Sequence, residues 1–163
     1  MTVESFLEEL QNNKPLSIAT IDFIEDDEEI GKKLVVHFKN NPNRALALQF
    51  IQNLTAIRTQ PYSNECEVSA NSLMLASYIL GLHKNVEDCL KIWEAKTIDF
   101  DTYCGLDIQL TVFAGVEETI NFLKNQTDDI SKKALEYIEI CKSSGDFDYL
   151  EEYFSEDQIP WFI

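Results

Sequence analysis

Carboxylates are the side chains in this chain most able to do chemistry, and one of them is out of place. Asp107 stands between Leu106 and Ile108, and the positions 30 residues before and after it hold Ser77 and Tyr137. Tyr103, Asp107 and Leu110 are spaced to share one helix face, beside a core stripe of Cys104 and Ile108. A carboxylate next to an aromatic ring on such a face can pair with a basic side chain of a partner, so Asp107 and Tyr103 are candidate partner contacts. Asp99 and Asp101 sit where a helix cap and a first turn are expected, positions that the helix dipole favours for acids. Asp128 and Asp148 extend this candidate set into the following unit. Asp88, Glu118 and Asp148 also recur 30 residues apart, each expected at the start of a helix; the recurrence is structural first, with an acidic ladder along one edge as its second reading.

Other chemistry is poorly supplied. The two histidines, His37 and His83, lie at no helix-face spacing from a cysteine or from each other, so a zinc site is not expected. His83 falls near a helix C-terminus, where a partly positive imidazole would suit the dipole. Cys66, Cys89, Cys104 and Cys141 form no C-x-x-C pair, and the last three fall on helix stripes as small apolar fillers. They read as structural thiols, with a disulfide or metal site as the alternative. Five scattered glycines make no phosphate loop, and no G-x-S-x-G elbow occurs. The expectation is therefore a protein without catalytic, metal or cofactor residues, one that is not an enzyme.

The elements that must position these residues follow a 30-residue repeat. Ser69, Asp99 and Asp129 align as N-caps. Met74, Tyr78 and Gly81 align with Cys104, Ile108 and Thr111, and with Ala134, Ile138 and Cys141, giving one small-to-apolar stripe per helix. Asn85, Gly115 and Gly145 follow as residues that enter left-handed backbone cheaply. Second stripes come next: Val86, Cys89, Leu90 and Trp93; then Val116, Thr119, Ile120 and Leu123; then, more loosely, Tyr149, Leu150 and Tyr153. The expected fold is all-α, a single domain of stacked antiparallel helical hairpins. Its units run over 69–98, 99–128 and 129–157, after an irregular helical part at 1–68 and before a tail at 158–163. Trp93 should be buried between the first and second hairpins.

In the irregular part, residues 4–12 predict a short helix with Phe6, Leu7 and Leu10 on one side. Residues 16–24 suit a strand or a helix, and helix is preferred because nothing else offers a strand partner. The acids Glu25, Asp26, Asp27, Glu28 and Glu29 are expected in the first turn of the next helix, favoured by its dipole. Asn43 can cap a further helix after the break at Pro42, and Pro61, Ser63 and Asn64 signal a loop. Trp161, Phe162 and Ile163 are expected to fold back on the last hairpin.

The chain has 163 residues, 45% of them hydrophobic, enough for a core in one domain. No apolar run approaches a membrane span, and the first residues do not resemble a secretory signal, so a cytoplasmic location is the expectation. Charge is uneven. The formal net is −16, and residues 86–163 hold 18 acids against 6 bases. Such a field repels nucleic acid and anionic membrane and favours a basic partner.

The hairpin layout over 69–157 resembles tetratricopeptide-like repeats, although the period is 30 and the W-x-x-L-G-x-x-Y and proline signatures are missing. The stretch Val86-Glu87-Asp88-Cys89-Leu90-Lys91-Ile92-Trp93-Glu94-Ala95-Lys96, with Ile98-Asp99-Phe100-Asp101-Thr102-Tyr103-Cys104-Gly105-Leu106-Asp107 after it, resembles small acidic helical immunity proteins of bacterial polymorphic, contact-dependent toxin systems. That resemblance implies a protein that binds a toxin's catalytic domain and blocks it; it transfers no specific residue. The resulting expectation is an immunity protein facing a basic toxin domain through Asp99, Asp101, Tyr103, Asp107, Asp128 and Asp148. The alternative is an adaptor that docks a peptide or subunit in its concave face.

Overall fold

The computed structural model describes residues 1–12, 15–27, 29–60, 67–155 and 160–163. Among them the chain is all-α: ten α-helices, two 3-10 turns and no strand. Helix α1 (Val3–Gln11) starts at Thr2, whose hydroxyl and that of Ser5 cap each other's backbone, and it buries Phe6, Leu7 and Leu10. The doubtful segment is helical. Ser17 caps α2 (Ile18–Asp26) through the Thr20 amide, and Thr20 donates its hydroxyl to Glu9 of α1. Helix α3 (Ile30–Asn40) follows, then α4 (Arg44–Arg58), capped by Asn43 as expected. The acids placed in the first turn of α3 are elsewhere. Glu25 and Asp26 end α2, Asp27 is its C-cap, and Glu29 precedes α3 without a capping bond. Glu28 and the loop residues Pro61, Ser63 and Asn64 lie outside the described residues.

Helix α5 (Ala70–Gly81) is the axis. Every residue from 72 to 81 is buried, so it has no solvent face, the signature of a helix wrapped on all sides. It packs against α3, α4, α7 (Phe100–Gly105) and the 3-10 turn Ile108–Val112. Gly81 is fixed by contact, since a Cβ there would run into the Phe113 ring. The 3-10 turn Val86–Asp88 leads into α6 (Cys89–Lys96); α8 (Val116–Lys124), α9 (Asp129–Ser144) and the short α10 (Leu150–Tyr153) complete the chain. Two cores result. The larger gathers α1 to α5 with Ile92, Ala95, Leu106 and Leu110. The smaller gathers Cys89, Trp93, Ile108, Val112, Ile120, Leu123, Ala134, Ile138 and Cys141. Helix α6 and the turn at 108–112 serve both, so they form the wall between them.

The repeat is approximate. Its first and third stripes are buried as expected, and Gly145 ends α9 in left-handed backbone at φ 84°. Trp93 is buried, and it reaches further along the chain than expected, its ring 5.5 Å from Tyr137 of α9. Four details differ. The third cap is Asp128, which leaves Asp129 as the first helical residue. After α5 the left-handed residue is Lys84, at φ 50°, while Asn85 takes up extended backbone and caps the turn through the Glu87 amide. The second unit's first helix stops at Gly105; Leu106 is extended, and a 3-10 turn replaces the remaining two turns of helix. Consequently Cys104 and Ile108 do not share a stripe, and Cys104 is exposed. Finally, α4 packs on α5 and α8 on α9, pairs that cross the expected unit boundaries.

Residues 160–163 do fold back, but chiefly onto the larger core. Phe162 meets Tyr78 at 6.2 Å between ring centroids, and Ile163 lies against Gly31.

Candidate functional site

The break after Gly105 rearranges the acidic residues. Leu106 N–H closes α7 on the Thr102 carbonyl, and the carbonyls of Tyr103 and Leu106 turn inward to accept from Lys96 Nζ, both at 2.6 Å. Lys96 is almost fully buried and makes no ion pair among the described residues. Its ammonium also lies 5.3 Å from the Tyr103 ring centre and 5.7 Å from that of Tyr137, close enough for cation–π attraction. Burial lowers its pKa, opposed by Cys141, Asp107 and Cys104. The sequence did not single out Lys96: a lysine in the last turn of a helix ordinarily serves the dipole from the surface.

This pin sets the floor of a groove of about 920 Å³ between α6, α7 and α9. Trp93 and Tyr137 line its base. Tyr103 (40% exposed) stands edge-on to Tyr137 at 5.5 Å, and burial pushes the Tyr137 phenol up to about 12. Ile130 and Ile140 lie along one side of α9, exposed at 59% and 63%. Ten residues apart on a helix, they are separated by about 15 Å. Glu94, Asp128 and Glu136 mark the rim with Lys91 and Lys133; Lys91 is held by Glu94 at 3.0 Å.

The groove brings together Tyr103 and Asp128, whereas Asp99 and Asp101, at the start of α7, do not line it and face Arg58 of α4. Asp128 is exposed, although its carboxylate is engaged at the α9 cap with the Ser131 amide at 2.9 Å and hydroxyl at 2.7 Å, which hold its pKa down. Asp99 caps α7 through the Thr102 amide and receives Arg58 in a two-pronged bond, Nε at 2.7 Å and Nη2 at 3.1 Å. The guanidinium holds the Asp99 pKa down at about 2, against burial and assisted by Thr102. Asp101 is solvent-exposed, 3.9 Å from the same Arg58.

Asp107 and Asp148 are not part of the groove. Asp107 does not share a helix face with Tyr103; it opens the 3-10 turn, and one of its oxygens accepts from both Tyr153 Oη at 2.8 Å and Trp161 Nε1 at 2.9 Å. It is the anchor of the C-terminal strap. Burial, then Asp107, raises the Tyr153 phenol. Asp148 lies beyond Gly145 at the far end of α9, exposed and short of α10. The acidic ladder dissolves as well. Asp88 is buried, holding Arg44 through Nε at 2.9 Å and Nη2 at 2.5 Å, while Glu118 and Asp148 stay at the surface.

The thiols of Cys89 and Cys141 are buried and pushed up to about 12 and about 11, chiefly by desolvation, which makes them poor nucleophiles. Cys66 lies outside the described residues. Burial lowers the His83 pKa, which works against the cationic imidazole expected at the helix end. No helix among the described residues is long and apolar enough to cross a membrane, and none of their His, Cys, Asp and Glu side chains cluster for a metal. Comparison of the chain with family models, with curated proteins and with solved structures returned no match.

Proposed function

We propose that this protein binds a basic protein partner in the groove between α6, α7 and α9, and that the partner is the toxin domain against which it confers immunity. The observation that supports the binding reading is the pairing of exposed Ile130, Ile140 and Tyr103 with the carboxylates of Glu94, Asp128 and Glu136 in one groove. Exposed branched apolar side chains on a helix side are a cost in water that a partner removes. An aromatic centre whose rim carries more acids than bases suits a surface rich in Lys and Arg, such as the phosphate-binding cleft of a nuclease. The toxin assignment rests on the resemblance of residues 86–107 to immunity proteins.

Rim acids act mainly on encounter, and the apolar centre on residence. Binding to a cognate toxin domain should therefore weaken with salt. Glu136→Lys should slow association several-fold, and Ile140→Glu should speed dissociation by a factor of ten or more, about 1.4 kcal/mol. If neither substitution changes binding and the salt dependence is flat, the groove is not the interface. If the wild-type protein neither binds nor protects cells from that domain, the immunity reading fails and the adaptor reading takes its place.

A further inference from the structure

A second cleft, of about 750 Å³, opens between α3, the segment after α5 and α10. Phe38 and Tyr78 form its buried floor, and Phe113 and Phe154, stacked at 4.0 Å between centroids, form a wall. Its lining is more basic than acidic, against the sign of the whole protein: Lys39, Lys84 and His83 with Glu151. With acids outnumbering bases by 29 to 13, most described cations have found a carboxylate, as Arg44, Arg58, Lys91 and Lys142 have. Lys39 and Lys84, both exposed at this cleft, make no ion pair among the described residues. Two further observations point the same way. Lys84 is the sole non-glycine among the described residues with positive φ, at 50°, a strain of the kind retained where a side chain must be presented. Beside it, His83 has its Nε2 buried with no hydrogen-bond partner, an unmade bond that a bound polar group could complete.

We propose that this cleft is a binding site for a small aromatic monocarboxylate, its ring on the Phe113–Phe154 wall and its carboxylate between Lys39, Lys84 and His83. Three features select that class. The aromatic floor and wall suit a flat apolar body. The two lysines supply ammonium donors to one carboxylate. The net charge of −16, with Glu151 on the cleft's own lining, penalises a polyanion more than a monoanion, because the repulsion scales with ligand charge. The site is separate from the groove of α6, α7 and α9 and does not depend on what that groove binds.

His83 and His37 are the chain's only histidines, which gives the test its reporter and its internal reference. Phenylacetate should be titrated into the full chain while the imidazole resonances are followed by NMR. The expected result is a saturable shift of His83 with His37 unmoved, at a Kd of about 1 mM or tighter. Inorganic phosphate should bind at least about five-fold more weakly, lacking the ring. Lys84→Gly removes the charge while relieving the backbone, so the variant is expected to fold, and it should weaken phenylacetate about five-fold or more, as should Lys39→Gln. Absence of a His83 shift at 10-fold that Kd, or equal affinity in wild type and both variants, overturns the site. Phosphate binding as tightly as phenylacetate overturns the aromatic part of the assignment.

Discussion

Removing the Asp107 carboxylate tests the claim that this residue anchors the chain's last segment and does not meet a partner. In Asp107→Ala, two donors lose one acceptor. Tyr153 is half-buried and packed on Phe154 at 5.0 Å, so its hydroxyl is left without that partner in a partly dry setting. A hydrogen bond to a charged group contributes about 1.5–3 kcal/mol, and this one belongs in the middle of that range. The Trp161 indole is 67% exposed and water replaces its bond, which leaves a few tenths of a kcal/mol at most. The expected loss is about 2–3 kcal/mol, a large share of the roughly 5–15 kcal/mol typical of such a domain. Urea unfolding followed by far-UV circular dichroism measures it. Tyr153→Phe should cost about 1–2 kcal/mol, and the double variant should cost less than the two singles together, with a coupling of about 1 kcal/mol. Strict additivity, or an Asp107→Ala midpoint equal to that of wild type, would refute the anchor and return Asp107 to the surface.

Three further outcomes follow from the structure. Lys84→Gly should raise stability by up to about 1 kcal/mol, because left-handed backbone costs glycine little; a lower urea midpoint would show that the Lys84 side chain contributes more than its strain costs. Asp99 has its folded pKa depressed to about 2 from 3.8, so its stabilising contribution is fully present above about pH 4 and is lost as pH falls through 2. Partial exposure discounts that contribution to about 1 kcal/mol, and Arg58→Met should flatten the acid limb of stability between pH 4 and 2; an unchanged limb would disprove the link. Native alkylation followed by peptide mapping should label Cys104 at once, and Cys89 and Cys141 only on unfolding; early labelling of Cys89 would contradict its burial.

What could be read from the sequence is what local patterns encode. The stripes of α5 and α9, the caps at Ser69, Asp99 and Asn43 and the turn at Gly145 each depend on residues within a few positions of one another. The fate of Asp107 was not legible, since it depends on partners 46 and 54 residues away. Nor was the end of α7. Residues 106–111 carry a helix-period pattern, yet Lys96 takes the carbonyls of Tyr103 and Leu106, which supplies from outside the helix what two further turns would supply from within. Asp88 misled for a similar reason: its recurrence with Glu118 and Asp148 fits a dipole argument, while its burial against Arg44 is a long-range choice.

Lys96 also connects the fold to the proposed binding mode. A buried ammonium without a counter-charge is expensive unless its donors are placed, and here two carbonyls and two aromatic faces place them. Those same contacts fix Tyr103 and Tyr137 relative to Trp93, so the aromatic base of the groove is ordered before any partner arrives. An interface assembled in advance loses little side-chain entropy on docking, about 0.5–1.5 kcal/mol saved for each long side chain already immobilised. Asp99 works on the fold alone: Arg58 neutralises it and locks the start of α7, while Glu136 on the groove's own lining is a charge a basic surface would meet. Groove geometry and groove charge thus belong to different residues, buried ones for the first and exposed ones for the second. Substitutions at the rim should then alter association without disturbing the fold, whereas loss of the Lys96 ammonium should loosen both the fold and the groove.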